Sequence, residues 1–134
     1  MKILVVDDEL VSRKKMHKIM EGIGECISVE SGKQAIRSFK EAWEEGVPFE
    51  VISLDIFMPD MSGIEVLTKI REVEKEKQVP KEKQVKIMMV TSYSEKDIVI
   101  ASLKAGCDNY VVKPFNSEKV RAKLIGMGLN IKED

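Results

Sequence analysis

The chain has 134 residues, 43% of them hydrophobic and 34% charged, with a formal net charge of −1. That length suits one domain around a single core, and the near-neutral balance excludes a nucleic-acid binder held by bulk electrostatics. Two cysteines (Cys26 and Cys107) and one histidine (His17) exclude a disulfide framework, a histidine-based metal site and a histidine-based catalytic triad. The cysteines read as reduced and half-buried, and His17 reads as a surface residue.

Ile3-Leu4-Val5-Val6 reads as a buried strand, too short for a signal peptide, and no apolar run reaches membrane-spanning length. A cytoplasmic protein with no membrane partner is expected. Asp7, Asp8 and Glu9 stand at the carboxyl end of the strand, where they repel one another unless a cation or an ammonium sits among them. A helix follows with Met16, Ile19, Met20 and Ile23 at i, i+3, i+4, i+7. Its basic face (Arg13, Lys14, Lys15, His17, Lys18) reads as solvated, and Gly22 and Gly24 end it. Cys26 to Glu30 alternates as a strand with one side more exposed. Ser31 is an N-cap for the next helix, which buries Ala35, Ile36, Phe39, Ala42 and Trp43 before Gly46 and Pro48 break the pattern.

Phe49 to Leu54 is the central strand, and it runs straight into Asp55. Acids commonly begin turns. A buried parallel strand, however, puts its carboxyl end at the mouth of a crevice. Ser62-Gly63 opens a helix with Ile64, Leu67 and Ile70 inward. Lys-Glu-Lys-Gln-Val-Pro (75–80) and Lys-Glu-Lys-Gln-Val-Lys (81–86) agree at five of six positions, a tandem duplication. Pro80 forbids one unbroken helix, so 75–86 is expected to be a helix end plus a solvated surface insertion. Its lysines alternate with glutamates and no aromatic is present, so a nucleic-acid role is only a weak reading of it, and no nucleic-acid partner is expected.

Val85 to Val90 forms the next strand and ends in Thr91-Ser92. Ser94 caps a helix starting near Glu95. Ile98-Val99-Ile100 spans about 200° of helix circumference, so at least one of these side chains stays exposed. Asn109 to Val112 is the last strand, followed by Lys113-Pro114-Phe115. Ser117 caps the final helix, Val120 and Leu124 face inward, and Gly126 and Gly128 fray its end.

Five strands alternating with five helices imply an α/β fold: a doubly wound parallel sheet with right-handed crossovers. Every strand-to-helix loop then opens on one sheet edge, where Asp7, Asp8, Asp55, Thr91 and Lys113 converge. Carboxylates suit a hard cation such as Mg²⁺, with Mn²⁺ as the alternative. A lysine and a hydroxyl suit a phosphoryl group. The reading of the residues is a metal-dependent aspartyl phosphate at Asp55.

Asp7-Asp8, the run Leu54 to Gly63 around Asp55, Thr91-Ser92, and Ala105-Gly106 through Tyr110 to Lys113-Pro114-Phe115 together resemble the receiver domain of two-component response regulators. The likeness is to the single-domain, chemotaxis-regulator-like kind and covers essentially all residues. It implies one receiver domain over 1–134 and a flavodoxin-like sheet of order 2-1-3-4-5; no output domain is expected within these residues, which leaves either a single-domain regulator or a receiver separated from its output domain. It implies that Asp55 accepts a phosphoryl group from a sensor histidine kinase or a histidine phosphotransfer protein. Asp8, Asp55 and the Phe57 carbonyl would bind Mg²⁺ directly, and Asp7 through a water. Lys113 and Thr91 would bind phosphoryl oxygens, Tyr110 would be the rotameric switch, and Lys113-Pro114 would be cis. The output partner would meet Ile98, Val99, Ile100 and Tyr110. Phe57 and Tyr93 would crowd the attacking water and slow hydrolysis.

The chain departs from the family in its duplication and in Cys107, where a small residue is usual. Two other classes stand beside this reading. A haloacid-dehalogenase-like phosphohydrolase needs Asp-x-Asp after the first strand and a substrate cap. A flavin-binding flavodoxin needs a hydroxyl- and glycine-rich loop where this chain has acids.

Overall fold

The computed structural model describes residues 1–92 and 96–131. The strands are β1 (Lys2–Val6), β2 (Glu25–Val29), β3 (Val51–Asp55), β4 (Lys86–Thr91) and β5 (Asn109–Val112). The helices are α1 (Leu10–Glu21), α2 (Gly32–Glu44), α3 (Gly63–Glu76), α4 (Lys96–Lys104) and α5 (Ser117–Gly126). All strand pairs are parallel, in the order β2-β1-β3-β4-β5, as expected.

Side chains alternate across a strand, and here both faces are apolar. Leu4, Val6, Ile52, Leu54, Ile87 and Met89 face Ala35, Phe39, Leu67 and Ile70 of α2 and α3. Ile3, Val5, Val51, Met88, Val90 and Val111 face Met16, Met20, Val120 and Leu124 of α1 and α5. Ile19 and Ile23 are only partly buried at the rim of that second layer. Of the run Ile98-Val99-Ile100 in α4, Ile98 packs against the first layer and Ile100 is exposed.

The central strand begins two residues later than expected and includes Asp55. Ser31 caps α2 through the Gln34 N–H, as expected. The cap of α5 is Asn116, whose Oδ1 accepts from the Lys119 N–H at 2.8 Å, and not Ser117. Nor does that helix fray. Gly128 N–H donates to the Ile125 carbonyl and Leu129 N–H to the Leu124 carbonyl, with Gly128 at φ +86°, a Schellman closure. The Ser94 cap and the helix start at Glu95 fall outside the described residues, as does Tyr93.

The duplicated tract is more than a solvated loop. α3 ends at Glu76, and Gln78 adopts φ +56°. A 3₁₀ turn covers Lys81–Lys83. The valine of each repeat, Val79 and Val85, is buried. Beside them Glu74 is 1% exposed and accepts the Val85 N–H at 2.8 Å. Arg71 donates to Glu74, to the Val85 carbonyl, to the Gly106 carbonyl and to Asp108, whose Oδ2 also takes the Ile87 N–H. This network closes the amino edge of the sheet, opposite the acids. Pattern reading missed it because Glu74 and Arg71 look like ordinary surface charges of a helix.

Candidate functional site

Asp55 is the last residue of β3 and is 5% exposed. Its place is fixed from behind by Gly63: a Cβ there would lie 2.2 Å from the Asp55 carbonyl oxygen. The sequence offered Gly63 as a helix opener and as the end of the motif around Asp55, but not this contact, which is why the position takes a glycine. Asp7 directly follows β1 and is buried, while Asp8 is exposed. The Glu9 N–H donates to Asp7 Oδ1 at 2.9 Å, and Arg13 donates to the Asp7 carbonyl at 3.0 Å. One oxygen from each of Asp7, Asp8 and Asp55 lies within 4.8 Å of the others.

Lys113 directly follows β5. Its N–H donates to the Thr91 carbonyl at 2.7 Å, and its peptide bond to Pro114 is cis, as expected. The Lys113 Nζ lies 3.2 Å from Asp7 Oδ2, 3.7 Å from Glu9 Oε1 and 3.8 Å from Asp55 Oδ2. Burial, then the charges of Asp7 and Asp8, push the Asp55 carboxyl up to about 7, although Lys113 opposes them. Burial pulls the Lys113 ammonium down, but Asp55 and Asp7 outweigh it and hold it above its ordinary value. The Ser12 hydroxyl and then Lys113 lower Glu9. One ammonium therefore faces an excess of carboxylates. An all-oxygen donor set with surplus negative charge fits a small hard cation.

Asp8, Glu9, Asp55 and Lys113 line a cleft of about 680 Å³ with Phe57, Ser92 and Ile98. Phe57 is 51% exposed on its wall. Thr91 is buried at the end of β4, on the same sheet face as Met89 and Ile87. Tyr110 pairs in register with Met89, so Thr91 and Tyr110 are neighbours on one face, two residues out of register. Tyr110 is half-buried, and the Lys123 ammonium lies 4.8 Å from its ring centroid.

Away from the cleft, His17 is not a plain surface residue. Its Nδ1 meets the Ser28 hydroxyl and lies 3.5 Å from Cys26 Sγ, and its Nε2 lies 3.0 Å from Glu21 Oε1. Burial and then Glu21 push the Cys26 thiol up to about 11, which suppresses thiolate chemistry there. The i,i+4 spacing of His17 and Glu21 on α1 was readable, but the meeting of His17 with Cys26 and Ser28 was not, because those two come from β2.

A doubly wound parallel sheet with clustered acids and a lysine at its carboxyl edge is the arrangement of a phosphoacceptor receiver. The response regulator receiver domain model matches residues 3–125, and the chain belongs to that family. Chemotaxis protein CheY1 of Helicobacter pylori is 33% identical over 136 residues, covering 97% of this chain and 99% of that protein. The receiver domain of the Arabidopsis thaliana histidine kinase CKI1, solved with Mg²⁺ and BeF₃⁻, superposes with a TM-score of 0.76 at 30% identity, over 90% of this chain and 87% of that one. A CheX–CheY–BeF₃–Mg²⁺ complex from Borrelia burgdorferi shares the fold with a TM-score of 0.80 at 24% identity, over 96% of this chain and 90% of that chain. This protein is a CheY-like response regulator receiver. Among the described residues, no helix is long and apolar enough to cross a membrane.

Proposed function

We propose that Asp55 is the phosphoacceptor and that a phosphohistidine, on a sensor kinase or a phosphotransfer protein, is the donor. The observation that carries this reading is the placement of Asp55 at the floor of the cleft, between Asp7, Asp8 and the Lys113 ammonium. A carboxylate oxygen of Asp55 attacks phosphorus. The O–P bond forms as the P–N bond of the donor breaks, and the imidazole leaves with its electron pair. Mg²⁺, held by Asp8, Asp55 and the Phe57 carbonyl with Asp7 acting through a water, would neutralise the equatorial oxygens. Lys113 pairs with another of those oxygens, as its contacts with Asp55 and Asp7 support.

Once phosphorylated, the domain signals by binding. Thr91 turns toward the phosphoryl group, and the neighbouring Tyr110 follows on the same sheet face. The output surface is α4, β5 and α5. Ile100 and Leu103, 37% and 52% exposed, are the apolar contacts there, with Ile98, Val99 and Tyr110 beside them. A cytoplasmic setting goes with a kinase donor. The test is incubation with acetyl phosphate or phosphoramidate and Mg²⁺, followed by mass mapping of the acid-labile adduct. Label on Asp55 that is absent from Asp55→Asn is the expected result; full labelling of that variant at the wild-type rate overturns the assignment.

A further inference from the structure

The β3–α3 loop, residues 56–62, carries the Phe57 carbonyl, and its far end is fastened to another element. The Asp60 carboxylate accepts the Gly32 N–H at Oδ1 and the Lys33 N–H at Oδ2, each at 3.1 Å. These are unpaired donors of the first turn of α2, which the helix itself cannot satisfy. Ser31 serves a third, the Gln34 N–H, at 3.2 Å. Burial raises the Asp60 carboxyl, but the Gly32 and Lys33 amides outweigh it and hold it below the ordinary carboxylate range.

The next residue continues the attachment. A Cβ on Gly32 would lie 2.2 Å from Met61 Cγ and 2.7 Å from its Sδ, so Met61 fills the notch that Gly32 leaves. Ser62 then caps α3 through the Glu65 N–H at 3.2 Å, and Gly63 abuts the Asp55 carbonyl. Four consecutive residues thus fix the loop against α2 on one side and β3 on the other.

We propose that Asp60 is a positioning residue for the divalent cation: by clamping the loop to the first turn of α2 it holds the Phe57 carbonyl beside Asp55 and Asp8. This rests on the cation reading above. Asp60 is exposed and touches neither the ion's carboxylates nor the cleft. It acts by removing an ordering cost that the ion would otherwise meet on binding. A side-chain cap of this kind corresponds to about fivefold in an equilibrium constant. The coupling is reciprocal, so filling the cation site tightens the Gly32 and Lys33 amides.

The test is titration of the full chain with Mg²⁺, followed by calorimetry and by amide chemical shifts. In the wild type, the Gly32 and Lys33 amides are expected to shift in step with ion saturation. Asp60→Ala should raise the Mg²⁺ Kd about fivefold. Asp60→Asn, which keeps one acceptor oxygen, should raise it less. Gly32→Ala perturbs the same clamp from the α2 side by displacing Met61, and should also weaken the ion. Wild-type binding with unchanged Kd in both Asp60→Ala and Gly32→Ala overturns the positioning role and leaves the cation reading standing. A wild type that takes up no Mg²⁺ overturns both.

Discussion

Asp55 is held in a state that its own fold disfavours. Its carboxyl sits near 7 in the ion-free protein, against an ordinary value of 3.8. The folded state therefore binds more protons than the unfolded chain between about pH 4 and 7, and stability falls as pH rises through that window. The penalty is complete above it. Asp55→Asn has no such carboxyl, and Lys113 keeps Asp7 and Glu9 as partners. The variant should be more stable than wild type at pH 8 without divalent ions, by on the order of 2–4 kcal/mol, the lower figure allowing for water that screens the open cleft. That gain should shrink toward zero near pH 4. Melts across pH in a chelator check this, and a gain independent of pH sinks it. At this scale Asp7, Asp8, Asp55, Thr91 and Lys113 were legible in sequence because strand ends on one edge must converge. Asp60 was not, because its partners are backbone amides of a helix far away along the chain.

The elements show a recurring way of stopping. α2, α3, α4 and α5 each end with paired bonds to the carbonyls of the last turn and a left-handed residue just past the end. In three of them that residue is glycine: Gly46, Gly106 and Gly128. In α3 it is Gln78, whose side chain has no steric freedom to spare at φ +56°. Gln78→Gly should therefore stabilise the protein by about 0.5–1 kcal/mol, the relief of strain exceeding the entropy glycine adds to the unfolded chain. Denaturant midpoints decide it, and an unchanged or lower midpoint counts against the strain. Apolar period located all five helices and strands. It misjudged ends such as Asn116 against Ser117, where two adjacent polar residues could each cap and only backbone geometry separates them.

Across the whole molecule the two sheet edges are built differently. The carboxyl edge collects unbalanced acids around one ammonium. The amino edge carries Arg71, Glu74 and Asp108 with their hydrogen bonds satisfied by one another and by the backbone at Val85, Ile87 and Gly106. Removing Arg71 leaves Glu74 buried without its cation, a loss of about 3–5 kcal/mol. Arg71→Ala should melt far below wild type yet label Asp55 at an unchanged rate per folded molecule, because the cleft lies at the opposite edge. A slowed label at matched folded fraction would show that the edges communicate. Charge and pattern could not expose this network, since its members are ionic residues scattered over a helix and a loop.

The duplicated hexapeptide has a hereditary consequence. A copying slip inserts a whole unit at once, its apolar residue included. Here the copy and its original each bring one valine, and both are housed: Val79 just past the end of α3, Val85 at the threshold of β4. Because neither copy exposes its valine, the doubling can be inherited without adding an apolar patch to the surface.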